Sequence, residues 1–357
     1  MPVNDNEIIT PLQLYREIEA AKSIEVLKEL GIKMLDTVGC IITVPVDAKS
    51  IVQMIAKVNY TISRRLIALL EINEGICLPD GATYLTLGSE GRGEQTLRTD
   101  QDSAIVYPDD FPAEKLIEVN RFATRLVDSL DAIGVPRCPG NVMASNPRWC
   151  HSVSEWKQLV EEWIIAPTPE NILDFCLLQD LSPLHGDDGL CKELRDHIRS
   201  AVWLTPHFFP NLARHATRFP SPLTFFRRIR VERRGEQRGK VDVKRSGIFA
   251  VTLGSTLMAL EAGFVGGNTW DKLSLLGELG MISAGDLKRI EAAFSFLVRL
   301  RVQSQLQEIA ARTPPSNHVD PRCMPAKERE QFRTALKGID CFLQIVRKRY
   351  LLDFIST

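Results

Sequence analysis

Two short stretches of this chain carry residue types at a spacing that could handle phosphate. The first is Leu87-Gly88-Ser89-Glu90-Gly91-Arg92-Gly93-Glu94. Its glycines let the backbone turn tightly and come close to a phosphate. Ser89 adds a hydroxyl donor, and Arg92 adds a planar fork of donors suited to phosphate oxygens. The second stretch, Asp100-Gln101-Asp102, begins eleven residues after Ser89. Strand side chains alternate faces, so Asp100 and Asp102 point the same way, roughly 6.5 Å apart along the strand. Two carboxylates so placed repel unless a proton or a cation intervenes. Magnesium prefers oxygen donors and binds one or two carboxylates together with substrate phosphates. Each stretch also has a plainer reading. The glycines are what any strand-to-helix turn would use, and Arg98-Thr99-Asp100 could cap an element. The two stretches together favour a metal and phosphate site.

Other chemistries are not supported. The loop lacks the Gly-Lys-Ser/Thr ending of a Walker A motif and the G-x-G-x-x-G of a Rossmann fingerprint. No H-E-x-x-H and no G-x-S-x-G occurs. The six histidines are scattered, and the eight cysteines form no C-x-x-C pair. We read the cysteines as reduced thiols, mostly buried in helices.

The elements that must position these residues follow from pattern. Thr10-Pro11 reads as a helix start, with apolar residues recurring through Leu12, Tyr15, Ile18, Ile24, Leu27 and Leu30. A second helix starts near Asp47 and ends at Gly75. Thr83–Leu87 and Ser103–Tyr107 read as strands, with 141–144 as a third candidate. A helix is expected over about 112–134, another from the capping box Ser152-x-x-Glu155, and another from Thr168-Pro169 to Pro183 or Gly186. The segment 226–244 looks like a hairpin about Gly235. Helices at 248–263, 269–280, 283–311 and 327–353 complete the chain. Trp149, Trp156 and Trp163 recur every seven residues and read as core. Residues 213–245 hold eleven Lys or Arg against three acids. That basic stretch is either a solvated face or a surface for phosphates, RNA or an acidic protein.

The string Gly88 to Thr96, then Thr99-Asp100-Gln101-Asp102, resembles the GlnD-related nucleotidyltransferases of the DNA polymerase β-like superfamily. Pro139-Gly140-Asn141-Val142-Met143-Ala144, Asp180-x-x-Pro183-x-x-Gly186-Asp187, Asp242-Val243-Lys244-Arg245-x-Gly247, Asn268-Thr269 and Leu300-Arg301-x-Gln303 extend the resemblance over about residues 35–355. It implies an α+β fold: a small mixed sheet with flanking helices, an N-terminal helical segment and a C-terminal helical domain for substrate. The expected boundaries are 1–79, 80–217 and 218–357. The resemblance also implies roles. Gly88 and Ser89, with Arg92, Lys244 and Arg245, would bind the nucleotide. Asp100 and Asp102 would hold Mg²⁺ or Mn²⁺, and Asp180 is the candidate third catalytic carboxylate. Ser182, Thr256 and Lys272 stand where such proteins commonly carry Arg.

The expected activity is therefore transfer of a nucleoside monophosphate from a nucleoside triphosphate to an acceptor hydroxyl, such as one on a regulatory protein in signalling. A nucleotide-sensing module with weak catalysis is the first alternative. A small-molecule or RNA nucleotidyltransferase is the second. The chain has 44 basic and 45 acidic residues, a net charge of −1, so no global field draws it to nucleic acid. The start Met1-Pro2-Val3-Asn4-Asp5 lacks the pattern of a signal peptide, and no apolar run is long enough to span a bilayer. We expect a cytoplasmic protein without membrane contact, and an oligomer is open.

Overall fold

The computed structural model describes residues 10–97, 100–224 and 226–353. The alternative reading of Arg98-Thr99-Asp100 as a capping turn falls partly on residues outside these. The chain divides into two compact units, one of residues 1–158 and 181–194, the other of 159–180 and 195–357. In this division the stretch 159–180 folds with the second unit and 181–194 with the first.

The first unit opens with α1 (Pro11–Ala20), whose Thr10 hydroxyl caps Gln13 N–H while Gln13 bonds back to Thr10. This capping box satisfies two donors that the first turn would otherwise leave bare. The expected single run through Leu30 is split: Ser23 caps a separate helix, α2 (Ile24–Ile41). α3 (Ala48–Glu74) starts at an Asp47 cap and stops at Gly75 in the left-handed region. There follow β1 (Thr83–Thr86), the one-turn α4 (Gly88–Gly91), β2 (Ser103–Tyr107), α5 (Ala113–Ala132), β3 (Cys150–Ser152) and α6 (Val153–Ile165). Next come α7 (Pro169–Leu178) in the second unit, then β4 (Ser182–Gly186) and α8 (Asp188–Leu204).

The four strands form one mixed sheet in the order β3-β2-β1-β4. β1 pairs antiparallel with both β2 and β4, and β2 pairs parallel with β3. Every residue of β1 is buried. Tyr84 packs edge-on against Phe122 of α5, with ring centroids 6.3 Å apart. The buried Trp156 indole donates to Ile105 O at 2.9 Å and fastens α6 to the sheet. Gly186 is forced where β4 crosses the start of β1: at φ +103 an added Cβ would stand 2.2 Å from Ala82 O.

Several expectations are corrected here. The third strand is 150–152, not 141–144; that segment only touches the start of β2, where Ser103 N–H donates to Val142 O. Residues 182–186 form β4 rather than a helix end, and α8 was not anticipated. Of the cysteines only Cys191 is buried; Cys77 and Cys323 are exposed and the others intermediate.

The second unit is helical. α7 leads it, and Phe175 meets Phe208 of α9 (Phe208–Ala216) edge to face, centroids 4.9 Å apart. The expected hairpin at 226–244 is a turn in which Glu232 N–H donates to Lys240 O and Gly239 N–H to Glu232 O, without a strand ladder among the described residues. The two-residue strands β5 (Val241–Asp242) and β6 (His318–Val319) pair antiparallel. Between them lie a π-turn at Lys244–Ile248, α10 (Phe249–Glu261), α11 (Thr269–Glu278) and α12 (Ala284–Ala310); α13 (Ala326–Arg349) follows. These match the helices read from the sequence. α12 and α13 approach closely at Gly338, where a Cβ would meet Ala293 Cβ at 2.7 Å. Among the described residues no helix is long and apolar enough to cross a membrane.

Candidate active site

The site is built on the end of β1. Leu87 N–H donates to Asp102 O at 2.9 Å, so the β1–β2 pairing continues past the strand into Asp100-Gln101-Asp102. Gly88 then turns at φ +53 into α4. The side chains of the acidic stretch alternate as extended backbone requires. Gln101 points inward, 2% exposed, and its amide donates to Val127 O and Val135 O at 3.1 and 2.9 Å. Those two bonds anchor the segment against the end of α5. Asp100 and Asp102 are consequently turned outward together. One oxygen of each and the Cys138 sulfur all lie within 4.8 Å of one another.

That donor set fits a divalent cation. Two carboxylates and a thiol converge, and like-charged carboxylates so close favour a cation between them. The oxygens suit magnesium or manganese, while the sulfur would add a soft donor. Cys138 was not expected here; it lies in the loop after α5, and only the fold brings it to Asp102. Burial first, and then the Asp102 charge, push its thiol up to about 12. It therefore stays protonated at neutral pH and bonds the Asp102 side chain.

A third carboxyl joins from α4. Glu90 was part of the motif string but not a candidate residue. Burial, with the charge of Asp102 second, pushes its carboxyl up to about 8. In the unfolded chain it would return to the ordinary carboxylate range. Over the interval between, the folded state holds a proton that the unfolded state has lost. Folding stability of the metal-free protein should then fall as pH rises, by up to about 1.4 kcal/mol per pH unit. Glu90→Gln is expected to flatten that slope in thermal melts run in chelator from about pH 5 to pH 8. An unchanged slope would mean that another group titrates.

The rest of the loop is held by polar contacts. Arg92 Nε donates to Glu94 Oε2 at 3.0 Å, with both side chains mostly buried. Asn59 of α3 donates to the Gln95 side chain at 3.1 Å. Arg92 thus has its guanidinium oriented by Glu94. The glycine-serine turn and the Asp100–Asp102 pair are brought together.

Asp180, Lys244 and Arg245 lie in the second unit. Asp180 is buried, and the fully buried Lys272 donates to its Oδ1 at 3.2 Å and to Thr256 Oγ1 at 2.7 Å. Two of the three positions noted for lacking arginine are thus bonded to each other, and Lys272 links them to this aspartate. Lys244 and Arg245 sit exposed on the π-turn. Asp242 accepts from Arg245 N–H at 3.0 Å, which fixes the turn.

Comparison with known families is consistent with this geometry. The family described as "Putative nucleotidyltransferase DUF294" matches residues 33–170. The model described as "Putative nucleotidyltransferase substrate binding domain" matches residues 206–350. No curated protein is a significant match to the chain. The matched segments contain the Gly88–Ser89 turn and Asp100–Asp102 in the first case and Lys244–Arg245 in the second. By these two matches the chain belongs to that nucleotidyltransferase family, its nucleotidyltransferase region followed by the family's substrate-binding domain.

Proposed function

We propose that the protein moves a nucleoside monophosphate from a nucleoside triphosphate to an acceptor hydroxyl. The acceptor oxygen forms a bond to the α-phosphorus, the bond to the β-phosphate oxygen breaks, and pyrophosphate leaves. The observation that carries this reading is the convergence of Asp100 and Asp102 beside the Gly88 turn. Gly88 and Ser89 would hold the terminal phosphates, where the absence of a Cβ lets the backbone approach. Asp100 and Asp102 would hold a divalent cation, Mg²⁺ or Mn²⁺, whose chemistry is to offset the triphosphate charge. Arg92, held by Glu94, would face the phosphates as a fixed fork. Of the further carboxyls, that of Asp180 is engaged by Lys272. Glu90 is coupled to Asp102; a cation on Asp100 and Asp102 would offset the charge that helps keep it protonated, and only the ionised carboxylate so released would take the acceptor's proton.

The acceptor is a second matter. A hydroxyl on a regulatory protein is our preferred class, by analogy with GlnD. Thr256 and Lys272, in place of arginines, favour an acceptor or a degree of catalysis that differs from relatives with the full arginine set.

Calorimetry tests the site directly. Non-hydrolysable ATP, GTP, CTP and UTP analogues are titrated with and without Mg²⁺ into wild type and Asp100→Asn/Asp102→Asn. One analogue should bind in a way that needs both the metal and the aspartates. Binding indifferent to both would move the assignment to a nucleotide sensor.

A further inference from the structure

Just past α9, two arginines share one aromatic ring. The Arg218 guanidinium carbon lies 4.8 Å from the centre of the Phe219 ring and 4.6 Å from that of Phe249. The Arg245 guanidinium carbon lies 4.8 Å from the same Phe219 ring. The two charges are therefore no farther apart than twice that distance. The rings of Phe219 and Phe249 meet edge to face at 5.3 Å and form a fixed corner.

His215 completes the arrangement. It is 7% exposed, and Arg218 Nη1 approaches its Nε2 at 2.8 Å. Burial and the Arg218 charge push its imidazole down to about 4. The ring is neutral at physiological pH, so a ring nitrogen can accept from the guanidinium without adding a competing charge. Arg245 is anchored from the other side, because its backbone belongs to the π-turn that Asp242 fixes. Single π-turns in helices frequently mark functional positions.

Among the described residues, no carboxylate forms an ion pair with Arg218 or Arg245. Both side chains are exposed. Like charges at this range repel, and each has only partial neutralisation from ring faces. Arg218 commits Nη1 to His215, and the remaining N–H groups of Arg218 and those of Arg245 are donors on exposed side chains. Edge N–H groups of paired arginines match the oxygens of a phosphate.

We propose that Arg218 and Arg245 form a phosphate subsite in the helical unit, shaped by Phe219, Phe249 and His215. The site is read from this unit alone; only the source of its phosphate depends on the proposed nucleotidyl transfer. That source is either the nucleotide or a phosphomonoester on the acceptor.

The test uses the full chain in chelator, with inorganic phosphate, ribose 5-phosphate and ATP as titrants. Arg218→Gln and Arg245→Gln should each weaken phosphate binding by about tenfold or more. Arg218→Lys, which keeps the charge and loses the fork, should fall between. It also serves as the second variant if a glutamine variant fails to fold. Asp100→Asn/Asp102→Asn should leave phosphate binding intact, which separates this site from the candidate active site. A matching loss of ATP affinity in the arginine variants would name the nucleotide as the source. A loss confined to ribose 5-phosphate and free phosphate would name a phosphorylated acceptor. Phosphate that does not bind saturably, or binds equally well without the two guanidinium groups, overturns the proposal.

Discussion

Asp102→Asn is expected to lower nucleotidyl transfer by roughly 10³-fold or more while the protein stays folded. The carboxylate is one of two that converge with the Cys138 sulfur. An amide keeps its shape and still offers an oxygen to the Cys138 thiol, but it is neutral and a poor ligand for a hard cation. Asp100→Asn should behave alike. The backbone of the site is unaffected in both, because Gln101 anchors the segment through Val127 and Val135 carbonyls. Pyrophosphate release with a supplied acceptor reads the effect, and circular dichroism reads the fold. A second signature follows from electrostatics. The Asp102 charge is one of the causes that raise the Glu90 carboxyl, so Asp102→Asn should move Glu90 part of the way back toward the ordinary range. Retained turnover in a folded Asp102→Asn protein would sink the assignment of the site.

How much of this was legible in the sequence depends on distance along the chain. Asp47 and Gly75 bound α3 as cap chemistry dictates, and the Gly88 turn followed a strand as expected. The common face of Asp100 and Asp102 came from period-two alternation alone. β4 was missed because Ser182-Pro183-Leu184-His185-Gly186 has no β-branched residue and contains a proline. Its strand character is conferred by pairing with the buried β1, a tertiary effect. β3, Cys150-His151-Ser152, likewise has no β-branched residue and owes its strand character to parallel pairing with β2. α8 was a different failure. Cys191, Leu194, Ile198 and Val202 are all buried at helical spacing, a signal that the sequence carries in full. Cys138 and Glu90 belong to the site through contacts that no local pattern encodes. The basic stretch read between 213 and 245 was informative only in part: Arg218 and Arg245 share a ring, whereas the arginines near Gly235 line an exposed turn.

The largest stability effect should come from Lys272. Its ammonium is 1% exposed and has Asp180 Oδ1 at 3.2 Å and Thr256 Oγ1 at 2.7 Å. Lys272→Met removes the cation and leaves the Asp180 carboxylate buried opposite a thioether. Breaking a buried pair in this way costs about 3–5 kcal/mol, which urea denaturation would report as a lower midpoint with an unchanged slope. The cost lies mostly in the charge left behind rather than in the attraction lost. Lys272→Met combined with Asp180→Leu should therefore recover most of the stability, since apolar pairs often replace buried ion pairs at little cost. Lys272→Arg should not be neutral, because a larger head must enter a position with no free surface. The same double variant separates two roles for Asp180. If the aspartate only holds helices of the second unit together, the double variant folds and retains metal-dependent nucleotide binding and turnover. If it folds and binds nucleotide but does not turn over, Asp180 takes part in the chemistry, and Lys272 is the residue that holds it in position.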